Sequence, residues 1–164
     1  MAISSDAFRK AMGSFATGVT VITTRNAAGK PWGFTVNSFT SVSLNPPLIL
    51  FCVGNGGESF TNVDEAEFFA VNYLAEDQEG ISRQFAAQGM ADRFEGVGYR
   101  EGPHGTPLIE GSLGAIQCRK VAAHGAGDHV IVVCEVLDAE LRDGNPLLFF
   151  RSDYGKINAP PGVR

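Results

Sequence analysis

The segment Phe34-Thr35-Val36-Asn37-Ser38-Phe39-Thr40-Ser41-Val42-Ser43, followed by the break Asn45-Pro46-Pro47, decides the fold of this chain. Its β-branched and aromatic residues favour extended structure, and the two prolines interrupt the chain before the apolar run 48–53. That run is short enough to be a strand of a barrel or a sandwich. The segment therefore predicts one strand over 32–43, a break, and a second strand over 48–53.

Other short apolar runs surround this segment. They predict further strands at 19–24, 68–74, 114–121, 130–141 and 147–151. Helical spacing predicts a helix over 5–16, capped by Ser5 or Asp6, and another over 76–88, while a short helix is expected near Ser59. Because the helices do not alternate with the strands, the prediction is a mainly β protein, a β-barrel with two or three inserted α-helices.

Size and charge narrow the class of protein. The 164 residues fit one domain, 1–164, with a core over about 8–157 and a loose tail over 158–164. The 13 basic and 18 acidic residues are scattered along the chain, which argues against a nucleic-acid partner. We see no apolar run of about 20 residues and no secretion signal, so we expect no membrane association and a cytoplasmic location.

The usual sequence signatures of metal and nucleotide sites do not occur. Cys52, Cys118 and Cys134 each lie in an apolar run without metal-ligand spacing, so we expect reduced packing thiols and no metal. The chain has no G-x-x-x-x-G-K-[ST] phosphate loop and no G-x-G-x-x-G that opens a helix. If a nicotinamide binds, it does not bind as it does in doubly wound sheets.

Three polar segments could carry chemistry, and each has a plainer interpretation. The hydroxyl-rich stretch 35–43 suits the edge of a planar heterocycle, or is an exposed edge strand. The loop 54–62 could hold a phosphate with help from Arg83, or is a loop in which Ser59 caps a helix and Arg83 is solvated. In Gly127-Asp128-His129, the histidine could bind a ligand while Asp128 orients its ring, or it is structural.

The order of these segments resembles the flavin reductase-like, FMN-binding split-barrel family, which includes the reductase components of hydroxyphenylacetate and phenol monooxygenases. The resemblance extends from about residue 8 to about residue 157. It implies a split β-barrel of Greek-key topology. The stretches that carry it are 16–23, 33–48, 69–74, Phe85-Ala86, Gly127-Asp128-His129 and 148–151.

The resemblance also implies where ligands bind. A flavin would lie at a homodimer interface, with its ring along the Thr-x-x-Ser strand and its phosphate near the following turn. His129, oriented by Asp128, would lie beside the nicotinamide. The flavin-binding residues that it implies are Thr35, Val36, Asn37, Ser38, Ser41, Asn55, Ser59, Thr61, Ser82, Arg83, Phe85 and Tyr154.

The implied activity is an NAD(P)H:flavin oxidoreductase that transfers hydride to FMN or FAD. It would supply reduced flavin to a separate flavin-dependent monooxygenase, with NADH or NADPH as the donor. Two alternatives stay open: another enzyme on the same barrel, of the pyridoxamine phosphate oxidase or haem-degrading type, and a non-catalytic flavin-binding module.

Overall fold

The computed structural model describes residues 2–157, and the predicted tail over 158–164 lies outside them. The chain forms three helices and twelve strands within that range. In chain order they are α1 (Ser5–Gly13), β1 (Thr17–Gly18), β2 (Thr20–Arg25), β3 (Pro31–Val36), β4 (Thr40–Leu44), β5 (Pro47–Gly54), α2 (Gly57–Glu65), β6 (Phe68–Tyr73), α3 (Glu79–Ala86), β7 (Tyr99–Glu101), β8 (Pro107–Ile109), β9 (Gly114–Ala126), β10 (His129–Leu141), β11 (Leu148–Phe150) and β12 (Asp153–Gly155).

Seven of the strands form one sheet that curls into a barrel. Their order is β3-β2-β6-β9-β10-β5-β4, with antiparallel neighbours throughout. Phe34 of β3 and Phe51 of β5 stand near opposite ends of this order, yet their ring centroids are 6.2 Å apart, and Phe51 is 5.5 Å from Phe69 of β6. The sheet must therefore close on itself. The predicted mainly β barrel with inserted helices is confirmed.

The predicted strand over 32–43 is two strands, because the barrel turns a corner inside it. β3 ends at Val36 and β4 begins at Thr40, and these two strands lie at opposite edges of the sheet. The connection 37–39 crosses between the edges. There, Ser38 Oγ accepts the Cys52 N–H at 3.1 Å and donates to the Cys52 carbonyl at 3.4 Å. A side-chain hydroxyl thus ties the corner to β5.

Successive side chains of β2 point to opposite faces of the sheet and so contribute to two hydrophobic cores. Ile22 packs inside the barrel with Phe51 and Phe69, whereas Val21 packs outside it with Phe85 of α3. Helix α2 packs against β2, β3 and β5, and α3 packs against β2 and β3. Gly33 allows the close approach of α3, since a Cβ there would lie 3.0 Å from the Phe85 ring and 2.7 Å from a backbone oxygen.

Helix boundaries differ from the predictions in specific ways. Ser4 caps α1 by accepting the Ala7 N–H, in place of Ser5 or Asp6, and the helix ends at Gly13. Gly56 precedes α2, so Ser59 lies within its first turn and is not the cap. The helix predicted over 76–88 is shortened to α3, because residues 75–78 form a turn in which Gln78 Oε1 accepts the Ala75 N–H.

The cysteines behave largely as predicted. Cys118 and Cys134 are buried free thiols on β9 and β10, whereas Cys52 is only partly buried. A hydrogen bond with Cys134 and burial raise the pKa of the Cys118 thiol, so it stays protonated. No helix within residues 2–157 has the length and apolar character needed to cross a bilayer. Over the same range, no group of three His, Cys, Asp or Glu side chains could hold a metal ion.

Candidate functional site

Four of the predicted flavin residues form one connected cluster, which we call the α3 group: Thr35, Ser82, Arg83 and Tyr154. Thr35 Oγ1 donates to the Ser82 carbonyl at 2.7 Å, and the Ser82 and Tyr154 hydroxyls are 2.8 Å apart. The Arg83 guanidinium lies over the Tyr154 ring, 4.7 Å from its centroid. The structure thus brings together residues that are more than a hundred positions apart in the sequence.

Arg83 is exposed but held in place. Its guanidinium forms an ion pair with Glu79, one helical turn earlier, with N–O contacts of 2.7 and 2.8 Å. The hydrogen bond that Arg83 donates to Glu79 is the main reason that the pKa of Arg83 is raised, so the cation persists at every physiological pH. Its position beside a tyrosine and a buried serine suits an anionic group such as a flavin phosphate.

A second cluster lies at the end of β5, and we call it the hairpin group: Ser38, Asn55, Asp128 and His129. His129 pairs with Gly54 across the β5–β10 ladder, and Ser38 contacts Cys52 two residues earlier on the same strand. The Asn55 amide donates to the Gly127 carbonyl at 3.0 Å, and the Asn55 backbone N–H donates to the Asp128 carbonyl at 2.8 Å. The β9–β10 turn is thereby fixed to β5.

The contact between Asp128 and His129 determines which nitrogen of the histidine ring carries the proton. Nδ1 lies 2.8 Å from Asp128 Oδ1, and this hydrogen bond is the main reason that the pKa of Asp128 is lowered. Because the ionised carboxylate only accepts, Nδ1 carries the proton and Nε2 of the neutral ring is left as an acceptor. Gly54 lies beside this nitrogen, since a Cβ built on it would be 3.9 Å from Nε2.

The remaining predicted residues play different parts. The Val36 carbonyl accepts from Thr20 Oγ1, and Thr61 Oγ1 donates to the Gly57 carbonyl inside α2. Ser41 is exposed on the edge strand β4, which agrees with the plainer interpretation of that stretch, and Ser59 is half-buried in α2. Phe85 is 1 % exposed and packs 4.9 Å from Phe94, so it supports the site from the core.

Asn37 lies in the wall of a different feature, a large cleft. This cleft measures about 940 Å³ and lies between the 15–20 segment, the 37–40 corner and the 141–147 segment. Phe39 and Tyr73 form part of its wall, with ring centroids 5.6 Å apart. Its apolar lining and its place beside Asn37 make it suitable for a planar ring or for part of a neighbouring molecule.

Sequence reasoning missed two residues that shape the site. Glu79 fixes Arg83, and its i, i+4 spacing to Arg83 could have revealed it. Gly54 faces His129, but its role depends on the β5–β10 register, which single-strand patterns do not contain. Together the two groups offer a fixed cation, several hydroxyls and an accepting imidazole nitrogen, and none of these groups is a covalent nucleophile activated by a neighbouring base.

Comparison with known proteins agrees with this arrangement. The family described as flavin reductase like domain matches residues 12–158. The FMN reductase (NADH) SmoA of Agrobacterium fabrum is 43 % identical over 155 residues, which cover 94 % of this chain and 87 % of SmoA. The flavin-dependent monooxygenase reductase subunit HsaB of Rhodococcus jostii is 40 % identical over 157 residues, covering 95 % and 80 % of the two chains.

A solved structure shares the whole fold. The Streptomyces globisporus NADH:FAD oxidoreductase SgcE6, determined in complex with NAD and FAD fragments, superposes with a TM-score of 0.88 at 34 % identity and covers 99 % of each chain. The order of strands, the barrel and the extent of these matches lead to one conclusion. The chain belongs to the flavin reductase-like family of split β-barrels.

Proposed function

We propose that this protein is an NAD(P)H:flavin oxidoreductase that transfers hydride to FMN or FAD and releases the reduced flavin to a separate monooxygenase. The observation that carries the proposal is that Ser38 and His129 adjoin the same end of β5, Ser38 at Cys52 and His129 at Gly54. The similar proteins SmoA and HsaB are an NADH-dependent FMN reductase and a monooxygenase reductase subunit, which supports the same assignment.

The donor set fits a flavin. Ser38 and Asn37 place a hydroxyl and an amide at the barrel corner, where they suit the polar edge of the isoalloxazine ring. Arg83 supplies a cation and Tyr154, held by the buried Ser82, supplies a hydroxyl for a phosphate. Bound there, the flavin supplies the hydride-accepting nitrogen, and the protein needs no residue of its own for electron transfer.

The role of the chain is therefore to position two rings. Nε2 of His129 would accept a hydrogen bond from the carboxamide N–H₂ of a nicotinamide, while Asp128 holds the opposite nitrogen. Such a contact would orient the nicotinamide for hydride transfer. The exposure of His129 and Asp128 allows the oxidised nicotinamide to leave.

We further propose that the active form is a homodimer. Helix α1 has no buried residue, and its apolar side chains Phe8 and Met12 are 54 % and 55 % exposed, as is Phe15 just after the helix at 71 %. Leu141, at the rim of the 940 Å³ cleft, is 77 % exposed. Apolar surface of this kind is expected to be covered by a second copy. We expect Phe8→Asp to shift sedimentation towards the monomer and to lower flavin reduction with it.

The function is tested by NADH and NADPH oxidation under air, with FMN, FAD and riboflavin compared side by side. We expect turnover that depends on added flavin, because a protein that delivers reduced flavin must also release it. Gel filtration should remove the flavin from the protein. Failure to oxidise either donor with any flavin, or one inseparable flavin per chain through turnover, would contradict the proposal.

The recipient is expected to be a flavin-dependent monooxygenase in the cytoplasm, where the nicotinamide donor is regenerated. Reconstitution with a candidate monooxygenase should couple NADH oxidation to product formation even when a dialysis membrane separates the two proteins. If coupling is lost when the membrane separates the two proteins, the flavin is transferred within a complex and does not diffuse freely between them.

A further inference from the structure

A second cavity lies apart from the residues assigned to flavin and nicotinamide. It measures about 380 Å³ and is enclosed by the β2–β3 turn, the start of α2 and the loop between α3 and β7. None of the predicted site residues lines it. Its walls combine charged and aromatic side chains, namely Lys30, Trp32, Glu58, Asp92, Arg93, Phe94 and Tyr99.

Arg93 is the unusual member of this wall, because it is a buried cation. The residue is 9 % exposed, and its Nη1 donates to the Gly33 carbonyl at 2.8 Å. Its Cζ lies 5.2 Å from the centroid of the Trp32 ring. No carboxylate oxygen of residues 2–157 lies within 4.0 Å of the guanidinium, so its charge is not neutralised by a close ion pair.

Two nitrogens of this guanidinium have no hydrogen-bond partner within residues 2–157. Nε is buried and has no hydrogen-bond acceptor, and Nη2 forms no hydrogen bond with any residue over 2–157. These two nitrogens make the side-on edge that binds a carboxylate through two parallel hydrogen bonds. A buried donor without an acceptor is unfavourable, and a carboxylate in the cavity would satisfy it.

The rest of the cavity restricts the ligand further. The cations of Lys30 and Arg93 are balanced by the carboxylates of Glu58 and Asp92, so a monoanion suits the site better than a phosphate dianion. Trp32, Phe94 and Tyr99 supply aromatic surface next to the guanidinium. We propose that this cavity binds a small aromatic carboxylate, with its carboxylate on the side-on edge of Arg93 and its ring against Trp32 and Tyr99.

Trp32 is the single tryptophan of the chain, so its fluorescence reports directly on this cavity. Flavin-free protein is titrated with benzoate, with benzamide as a neutral analogue of the same shape, and with inorganic phosphate. We expect a saturable change with benzoate and at least tenfold weaker binding of the other two probes. Equal binding of benzamide, tighter binding of phosphate, or no saturation with benzoate would overturn the proposal.

Variants separate the charge of Arg93 from its geometry. Arg93→Lys keeps the charge and loses the side-on edge, so benzoate affinity should fall at least tenfold. Lys30→Met changes an exposed side chain at the rim of the cavity and should weaken benzoate binding a few-fold. If Arg93→Lys does not fold, this variant tests whether benzoate binds in the cavity. Arg119→Met, on the outer surface of β9 and paired with Glu135, is the matched control and should bind benzoate as the parent does.

Calorimetric titration of benzoate in the presence of saturating FMN distinguishes this cavity from the flavin site. We expect unchanged benzoate affinity, because no residue of the α3 group or the hairpin group lines the cavity. Displacement of benzoate by FMN would assign the cavity to the flavin site and overturn the proposal. Flavin reduction measured without benzoate tests the proposed function separately.

Discussion

The α3 group and the hairpin group differ in how the chain holds them. In the α3 group, each of the three side chains Thr35, Ser82 and Arg83 contacts another element of the fold, in the case of Arg83 the Tyr154 ring of β12. In the hairpin group, His129 is exposed and its ring is bonded to the residue directly before it. The first group is therefore rigid before any ligand arrives, and the second depends on the β9–β10 turn. Rigid anchoring of one substrate and looser contact with another suit a protein that exchanges both.

Tyr154→Phe should have the largest effect on stability and is the strongest test of the rigid group. It removes the partner of the buried Ser82 hydroxyl, which should lower the free energy of unfolding by about 1–3 kcal/mol. Urea denaturation measures this change. Tyr99→Phe, at a half-exposed tyrosine, is the control and should leave the unfolding midpoint unchanged. Equal midpoints for Tyr154→Phe and the parent would remove the distinction between the groups.

His129→Ala should show the opposite pattern. We expect the KM for NADH to rise at least about threefold, equivalent to roughly 0.7 kcal/mol, because the carboxamide acceptor is lost. The free energy of unfolding should stay within about 0.5 kcal/mol of the parent, since the side chain is exposed. His124→Ala, on the same hairpin, is the control. An unchanged KM at full turnover would remove His129 from the site.

Asp128→Asn should have a smaller effect on the same KM, since the carboxylate acts through the histidine ring. The lowered pKa of Asp128 also predicts a pH dependence. The stabilising contact is fully present above the ordinary aspartate pKa of about 3.9 and is lost as the pH falls through the lower folded value. The KM for NADH in Asp128→Asn, compared with the parent across this acidic range, checks the assignment. A larger effect than that of His129→Ala would make Asp128 the primary contact.

Tyr73, in the wall of the large cleft, should give an effect that is confined to alkaline pH and absent at neutral pH. Burial raises its pKa to about 12, whereas in the unfolded chain it ionises near 10. The unfolded state therefore loses this proton first, and the free energy of unfolding should fall as the pH rises from about 10 to about 12. Near-ultraviolet absorbance of the phenolate follows the titration. Tyr73→Phe should remove that step, and an early step in the parent would show that the cleft is wetter than its burial indicates.

Much of the fold could be predicted because a short run of apolar residues indicates a strand without any information from distant parts of the sequence. The runs that became β2, β5, β6, β9 and β10 were each identified to within a few residues, apart from the far end of β9. β12 was missed because Arg151 and Ser152 both have positive φ in the turn from β11, where glycine or asparagine would have signalled a hairpin. The corner at 37–39 was missed because it depends on barrel closure.

The site was less predictable than the fold. Hydroxyl-rich composition singled out the stretch 35–43, but composition could not show that Thr35 and Ser38 belong to different groups on either side of the corner. The cluster of Ser82 with Tyr154 depends on how α3 packs against β11 and β12, which no local pattern encodes. The residues assigned through the family resemblance remain predictions, and the variants of Tyr154, His129 and Asp128 test three of them.

The two hydrogen bonds between the Ser38 hydroxyl and the Cys52 backbone have a consequence for ligand exchange. A hydroxyl has one proton and two lone pairs, and here the proton faces the Cys52 carbonyl while one lone pair takes the Cys52 N–H. The second lone pair can receive a donor from an incoming ring while the seam of the barrel stays closed. Departure of that ring likewise leaves the seam intact. A protein built this way can load and unload its redox partner on every cycle without any local unfolding.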